Sequence, residues 1–200
     1  MARTVYLVAL ALVALAAVAS AQDAPDVTAQ NHACKATTMQ QAIVDALRGK
    51  KDLSEFRRMV AAATDIGTTQ TPTAATLTVF APTNAALARA FPAPALNNLI
   101  TSTAAADRTR LNDIVRTHIT NTGAFTTKTL TNNQALTTLA TSTQLTVHVA
   151  TTAGRRVVTV TGPGNTPNNP NTATVVKPNN IRACNSYIHA ISEAIRVVTV

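Results

Sequence analysis

Thr76-Leu77-Thr78-Val79-Phe80-Ala81-Pro82-Thr83-Asn84-Ala85-Ala86-Leu87 changes character in its middle. Leu77 to Phe80 reads as a short buried strand. Pro82 and Thr83 break it. The Thr83 hydroxyl can then accept an amide hydrogen bond at the start of a helix from Asn84 to Ala90. Pro92 and Pro94 end that helix and allow another short one to Ile100.

Upstream, Met39, Ile43, Ala46 and Leu47 recur at helical spacing, with Gly49 as the stop. A second helix carries Phe56, Met59, Val60 and Ala63 on its apolar face. Asp52 is its expected cap, with Glu55 three residues on. Thr64 to Thr76 reads as a loop. Downstream, Leu111, Ile114, Val115 and His118 form the stripe of an amphipathic helix. After Ile119 the period changes. Thr129 to Ala140 carries apolar residues among threonines. Leu145, Val147 and Val149 alternate with Thr146 and His148, and Val158 and Val160 alternate with threonines, as half-buried strands do. Gly162 to Asn171 is rich in turn residues. Thr174 to Val176 resumes a strand that Pro178 is expected to interrupt. Ile181 to Ala183 and Tyr187 to Ile191 are further strand pieces, followed by Ala194 to Val200. With helices early and strands late, the class is α+β rather than alternating βαβ.

The 200 residues carry 17 Lys+Arg against 9 Asp+Glu, a formal net charge of +8, with 46% hydrophobic and 13% charged residues. That balance excludes a charged disordered chain. Met1 to Ala21 reads as a secretory signal: a cationic start, an apolar run from Val5 to Val18, and small residues at Ala19 and Ala21. The apolar run is short of the ~20 residues a spanning helix needs, and no later stretch suits one. Residues 22–35 form a polar leader and residues 36–200 the domain. Export places Cys34 and Cys184 in an oxidising compartment, where two cysteines allow one pairing. A bridge would close a loop of about 150 residues, worth at most ~5 kcal/mol on the chain-entropy view.

Three stretches in order resemble the fasciclin (FAS1) domain. Thr76 to Leu87 is similar to the first family signature. Asn180 to Ile195 (NIRACNSYIHAISEAI) is similar to the second. Leu111 to Ile119 is similar to the helix that ends in Tyr-His. The sequence departs from the family pattern with Asn84 for Asp, Leu87 for Phe, Thr117 for Tyr, Ser186 for Gly and Glu193 for Asp. The resemblance implies a β-wedge or sandwich flanked by helices, in a secreted, non-enzymatic protein of cell adhesion or of matrix and cell-wall organisation. A Cys34–Cys184 bridge would then pin the first helix region to the closing strands.

The motif residues Thr83, Asn84, Leu87, His118, Asn185 and His189 are candidates for contact. Competing structural roles are a helix cap for Thr83 and buried, hydrogen-bonded imidazoles for His118 and His189. Lys50, Lys51, Arg57, Arg58, Arg155 and Arg156 form the basic surface, which favours anionic partners such as acidic polysaccharide. The expected partners are extracellular proteins or anionic glycans. The alternatives are a glycan-binding module and, more remotely, a secreted hydrolase. No cofactor or metal pattern is visible, oligomeric state is not encoded, and scarce aromatic platforms argue against nucleic acid.

Overall fold

The computed structural model describes residues 32, 34–64, 66, 71–140, 143–166 and 170–196. The expected signal and most of the leader lie outside them. Among the described residues, five bounded α-helices precede or flank seven strands. They are α1 (Met39–Ala46), α2 (Ser54–Ala62, entered through a 3-10 turn at Lys51–Leu53), β1 (Thr78–Pro82), α3 (Asn84–Ala90), α4 (Ala95–Thr101), α5 (Ala105–Thr117), β2 (Ile119–Thr120), β3 (Gln134–Thr137), β4 (Gln144–Thr152), β5 (Arg155–Thr161), β6 (Thr172–Ala183) and β7 (Ser186–Ile191).

The sheet order is β2-β1-β7-β6-β5-β4-β3. Its ends meet. Thr120 bridges Thr138, the Leu139 amide donates to the Ile119 carbonyl at 2.8 Å, and the Asn121 amide donates to Thr137 at 3.0 Å. The two edge strands thereby cover each other, which removes the exposed edge that invites pairing with another chain. β1 and β7 run parallel, with Phe80 opposite His189; the other paired strands are antiparallel.

β1 is buried at every position. A strand alternates its side chains between faces, and here both faces are covered. Val79 and Ala81 enter a core built with the helices, whereas Phe80 enters a second core between the strands. The first core holds Met39, Ile43, Leu53, Phe56, Met59, Leu87, Leu111 and Val115 with Ile188 and Ala190 of β7. The second holds Leu130, Leu136, Leu145, Val147, Val160 and Ile191 around Phe80. The hydrophobic stripe of α5 is buried as its spacing requires, with Leu111, Ile114 and Val115 inside. Asp107 in its first turn accepts from the Ser102 hydroxyl at 2.6 Å and sits favourably at the positive helix end.

Three local expectations change. Asp52 does not cap α2, because it falls inside the 3-10 turn, and no side chain of the adjoining residues takes that role. The cap comes from another helix: Asn84 Oδ1 accepts the Glu55 amide at 3.0 Å. Pro178 does not interrupt the strand. β6 runs from Thr172 to Ala183 and absorbs the proline in a register shift between Val176 and Ile181, where a missing ladder donor is tolerated. Ala194 to Arg196 form no strand, and residues 197–200 lie outside the described residues.

Candidate functional site

The first signature carries two polar residues, Thr83 and Asn84, with structural work at the α2–α3 contact. Thr83 has extended backbone, and its Oγ1 accepts from the Ala86 amide at 3.2 Å, so it is the N-cap of α3. Asn84 holds two helices together. Besides accepting from Glu55, its Nδ2 donates to the Lys51 carbonyl at 2.9 Å and to Ser54 Oγ at 3.0 Å. A carboxylate could accept from Glu55 but could not donate to Lys51, so the amide fits this geometry. Asn84→Ala removes three hydrogen bonds at a half-buried helix start and should cost about 2 kcal/mol. Asn84→Asp should cost less, because the α2 cap survives. Denaturant midpoints of the two variants check the order.

His118 and His189 are fully buried and serve as hydrogen-bond bridges of opposite tautomer. His118 Nδ1 lies 2.8 Å from the Ile114 carbonyl, and its Nε2 receives the Ile195 amide at 3.0 Å. A carbonyl can only accept and an amide only donate, so the proton is on Nδ1. His189 reverses this. Its Nε2 lies 2.7 Å from the Phe125 carbonyl, and its Nδ1 receives the Asn180 amide at 3.2 Å. The proton is on Nε2. Burial holds both imidazoles down to about 4, opposed only by the carbonyl each one meets. Both are therefore neutral at physiological pH, with both ring nitrogens committed inside the fold.

Leu87 is likewise in the core and presents nothing to a partner. Asn185, in the exposed β6–β7 turn, donates to the Thr73 carbonyl at 2.5 Å. Ser186, which stands at the family's glycine position, is buried. It accepts from the Leu77 amide at 3.0 Å and donates to the Ala75 carbonyl at 3.2 Å. The turn's positive φ falls instead on Cys184, at 54°.

The basic residues occupy separate places. Lys50, Lys51, Arg57 and Arg58 lie around α2, whereas Arg155 and Arg156 open β5 at the β4–β5 hairpin. Arg58 pairs with Glu55 at 2.7 Å and donates to Asn97 at 2.8 Å. Arg156 donates to the carbonyls of Thr127 and Leu130, fastening a loop to the sheet. Lys51 and Arg155 are exposed.

A groove of ≈ 1120 Å³ opens where α3, α5 and the segment after β7 converge. Arg89, Phe91, Arg110, Asp113, Asn171, Glu193 and Arg196 are among its lining residues. Arg89 meets Glu193 at 2.8 Å and also donates to the Ser192 carbonyl at 2.5 Å. The pair is half exposed, so its contribution is at most about 1 kcal/mol. Asn171 fixes the opposite wall. Its Nδ2 donates to the carbonyls of Pro163 (2.8 Å) and Arg196 (3.2 Å), and its Oδ1 receives the Arg196 amide (2.8 Å). The sequence reading missed this groove. Its arginines are far from one another in the chain, and no spacing signals that they meet. Among the described residues no group of three or more His, Cys, Asp or Glu side chains could hold a metal ion.

The family model of the fasciclin domain matches residues 51–197. The chain belongs to the fasciclin domain family. No curated protein matches it. Among solved structures it is similar to "a FAS1 Domain Pair from the Insect Cell Adhesion Molecule Fasciclin I", with 18% identity and a TM-score of 0.44. The alignment covers 79% of this chain and 45% of that one, so the chain spans about half the length of that relative. The fasciclin domain thus has its two signatures side by side in space, as the parallel β1–β7 pair. Most of its signature side chains hold the domain together rather than face outward. No helix among the described residues is long and apolar enough to cross a membrane.

Proposed function

We propose that this fasciclin domain acts outside the cell as an adhesive or matrix-organising module that contacts proteins or glycans through its surface. Membership of the family over residues 51–197 carries the reading. The commitment of His118 and His189 to internal hydrogen bonds supports a working surface rather than a reaction centre. Met1 to Ala21, read as an export signal, accounts for the location.

A second reading, recognition of anionic polysaccharide, is favoured by the net charge of +8 and by the groove framed by Arg89, Arg110 and Arg196. Retention of the purified protein on matrix or cell-wall fractions, washed at low and then high salt, separates the two. Exposed charge pairs are screened beyond ~10 Å at 0.1 M salt and ~3 Å at 1 M. A glycan contact should therefore be released by about 1 M salt, whereas an apolar protein contact should persist. Absence of retention at both salt concentrations contradicts the proposal.

A further inference from the structure

The two cysteines, remote in sequence, meet in space. Cys34 lies on the surface just before α1, and Cys184 lies at the β6–β7 turn with 2% of its surface exposed. Both are thiols in this structure. The two side chains are near neighbours. The surrounding packing holds them there. Ala36, two residues after Cys34, rests on the core cluster that contains Cys184, and α1 packs on β6 while burying Met39, Ile43 and Ala46 in that cluster. This N-terminal element lies before residue 51, where the family match begins.

We propose that Cys34 and Cys184 are a disulfide clip that fastens the N-terminal segment to the closing hairpin of the sheet. The oxidant is a small-molecule disulfide of the oxidised-glutathione class. The exposed Cys34 thiolate attacks one sulfur of that disulfide, forming a mixed disulfide and expelling one thiolate. Cys184 then loses its proton and attacks Cys34 Sγ, expelling the second thiolate. Two protein thiols become one disulfide, and one small disulfide becomes two thiols. Burial, reinforced by Cys34 itself and opposed by Arg182, pushes the Cys184 thiol up. The second step therefore quickens as pH rises.

The test equilibrates the purified full chain in oxidised or reduced glutathione buffer, quenches with acid and alkylates under denaturing conditions. The oxidised sample should show no alkylated cysteine and a Cys34–Cys184 cross-linked peptide, whereas the reduced sample should show two alkylated cysteines. The oxidised form should melt about 5–15 °C above the reduced form. Cys34→Ser alters an exposed position, so the variant should fold. It should melt with the reduced wild type and show no dependence on the redox buffer. Two free thiols in oxidising buffer, glutathione capping without cross-linking, an intermolecular dimer, or equal melting of the two forms would each overturn the clip.

Discussion

Acidification from pH 7 to pH 5 should remove about 4 kcal/mol of folding stability, roughly 2 kcal/mol for each of two histidines. In the fold His118 and His189 stay neutral down to about 4. In the unfolded chain an imidazole begins to bind its proton near pH 6.5. Between those values the unfolded state holds more protons, so stability rises with pH there. The contribution is complete above about pH 6.5 and is lost as the pH falls toward 4. Domains of this kind hold only about 5–15 kcal/mol in total, so the loss is large. Urea midpoints at half-unit steps from pH 7.5 to 5 measure it in a range where most carboxylates remain ionised. A flat profile, or stability rising as the pH falls, contradicts the assignment.

The second large effect concerns the segment after β7, which forms one wall of the groove. His118 receives the Ile195 amide, and Asn171 grips both the amide and the carbonyl of Arg196. Asn171 is buried to 5% exposure, and Gly162 is packed so tightly beneath it that an added Cβ would lie 2.5 Å from Asn171 Nδ2. Asn171→Ala removes three hydrogen bonds and strands the Pro163 carbonyl, at an expected cost of about 2–3 kcal/mol. His118→Phe keeps a ring of similar bulk but leaves the Ile114 carbonyl and Ile195 amide unpaired in the core, costing about 3–5 kcal/mol. The two sites act on adjacent residues, so their effects should not add. Once one grip is lost the segment has less to lose from the other, and the double variant should fall short of the sum by at least ~0.5 kcal/mol. Strict additivity in chemical denaturation would show that the segment is not held as one unit.

Much of this architecture was legible in the residues. The helix of Asn84 to Ala90 follows from a threonine cap and the following prolines, and the apolar stripe of α5 follows from spacing alone. β4 and β5 show the alternation of strands with one face inward. What stayed hidden depends on partners distant in the chain. Asp52 has the local spacing of a cap, but the amide it would serve is taken by Asn84, 29 residues away. Pro178 punctuates a strand only when the ladder needs its amide, and the irregularity in β6 removes that need. The neutrality of the two histidines is set by burial, against the pull of the carbonyl each one meets, and burial depends on the packing of the whole fold. The groove needs α3, α5 and the segment after β7 together, so no window of sequence contains it.

The signature histidines are internal struts, with both ring nitrogens engaged inside the fold. Nitrogen-15 NMR of the imidazole rings, followed from pH 8 to pH 5, tests it directly. The prediction is two neutral rings that do not titrate, His118 with its proton on Nδ1 and His189 with its proton on Nε2. Titration of either ring near pH 6.5, or the same tautomer at both, would contradict it.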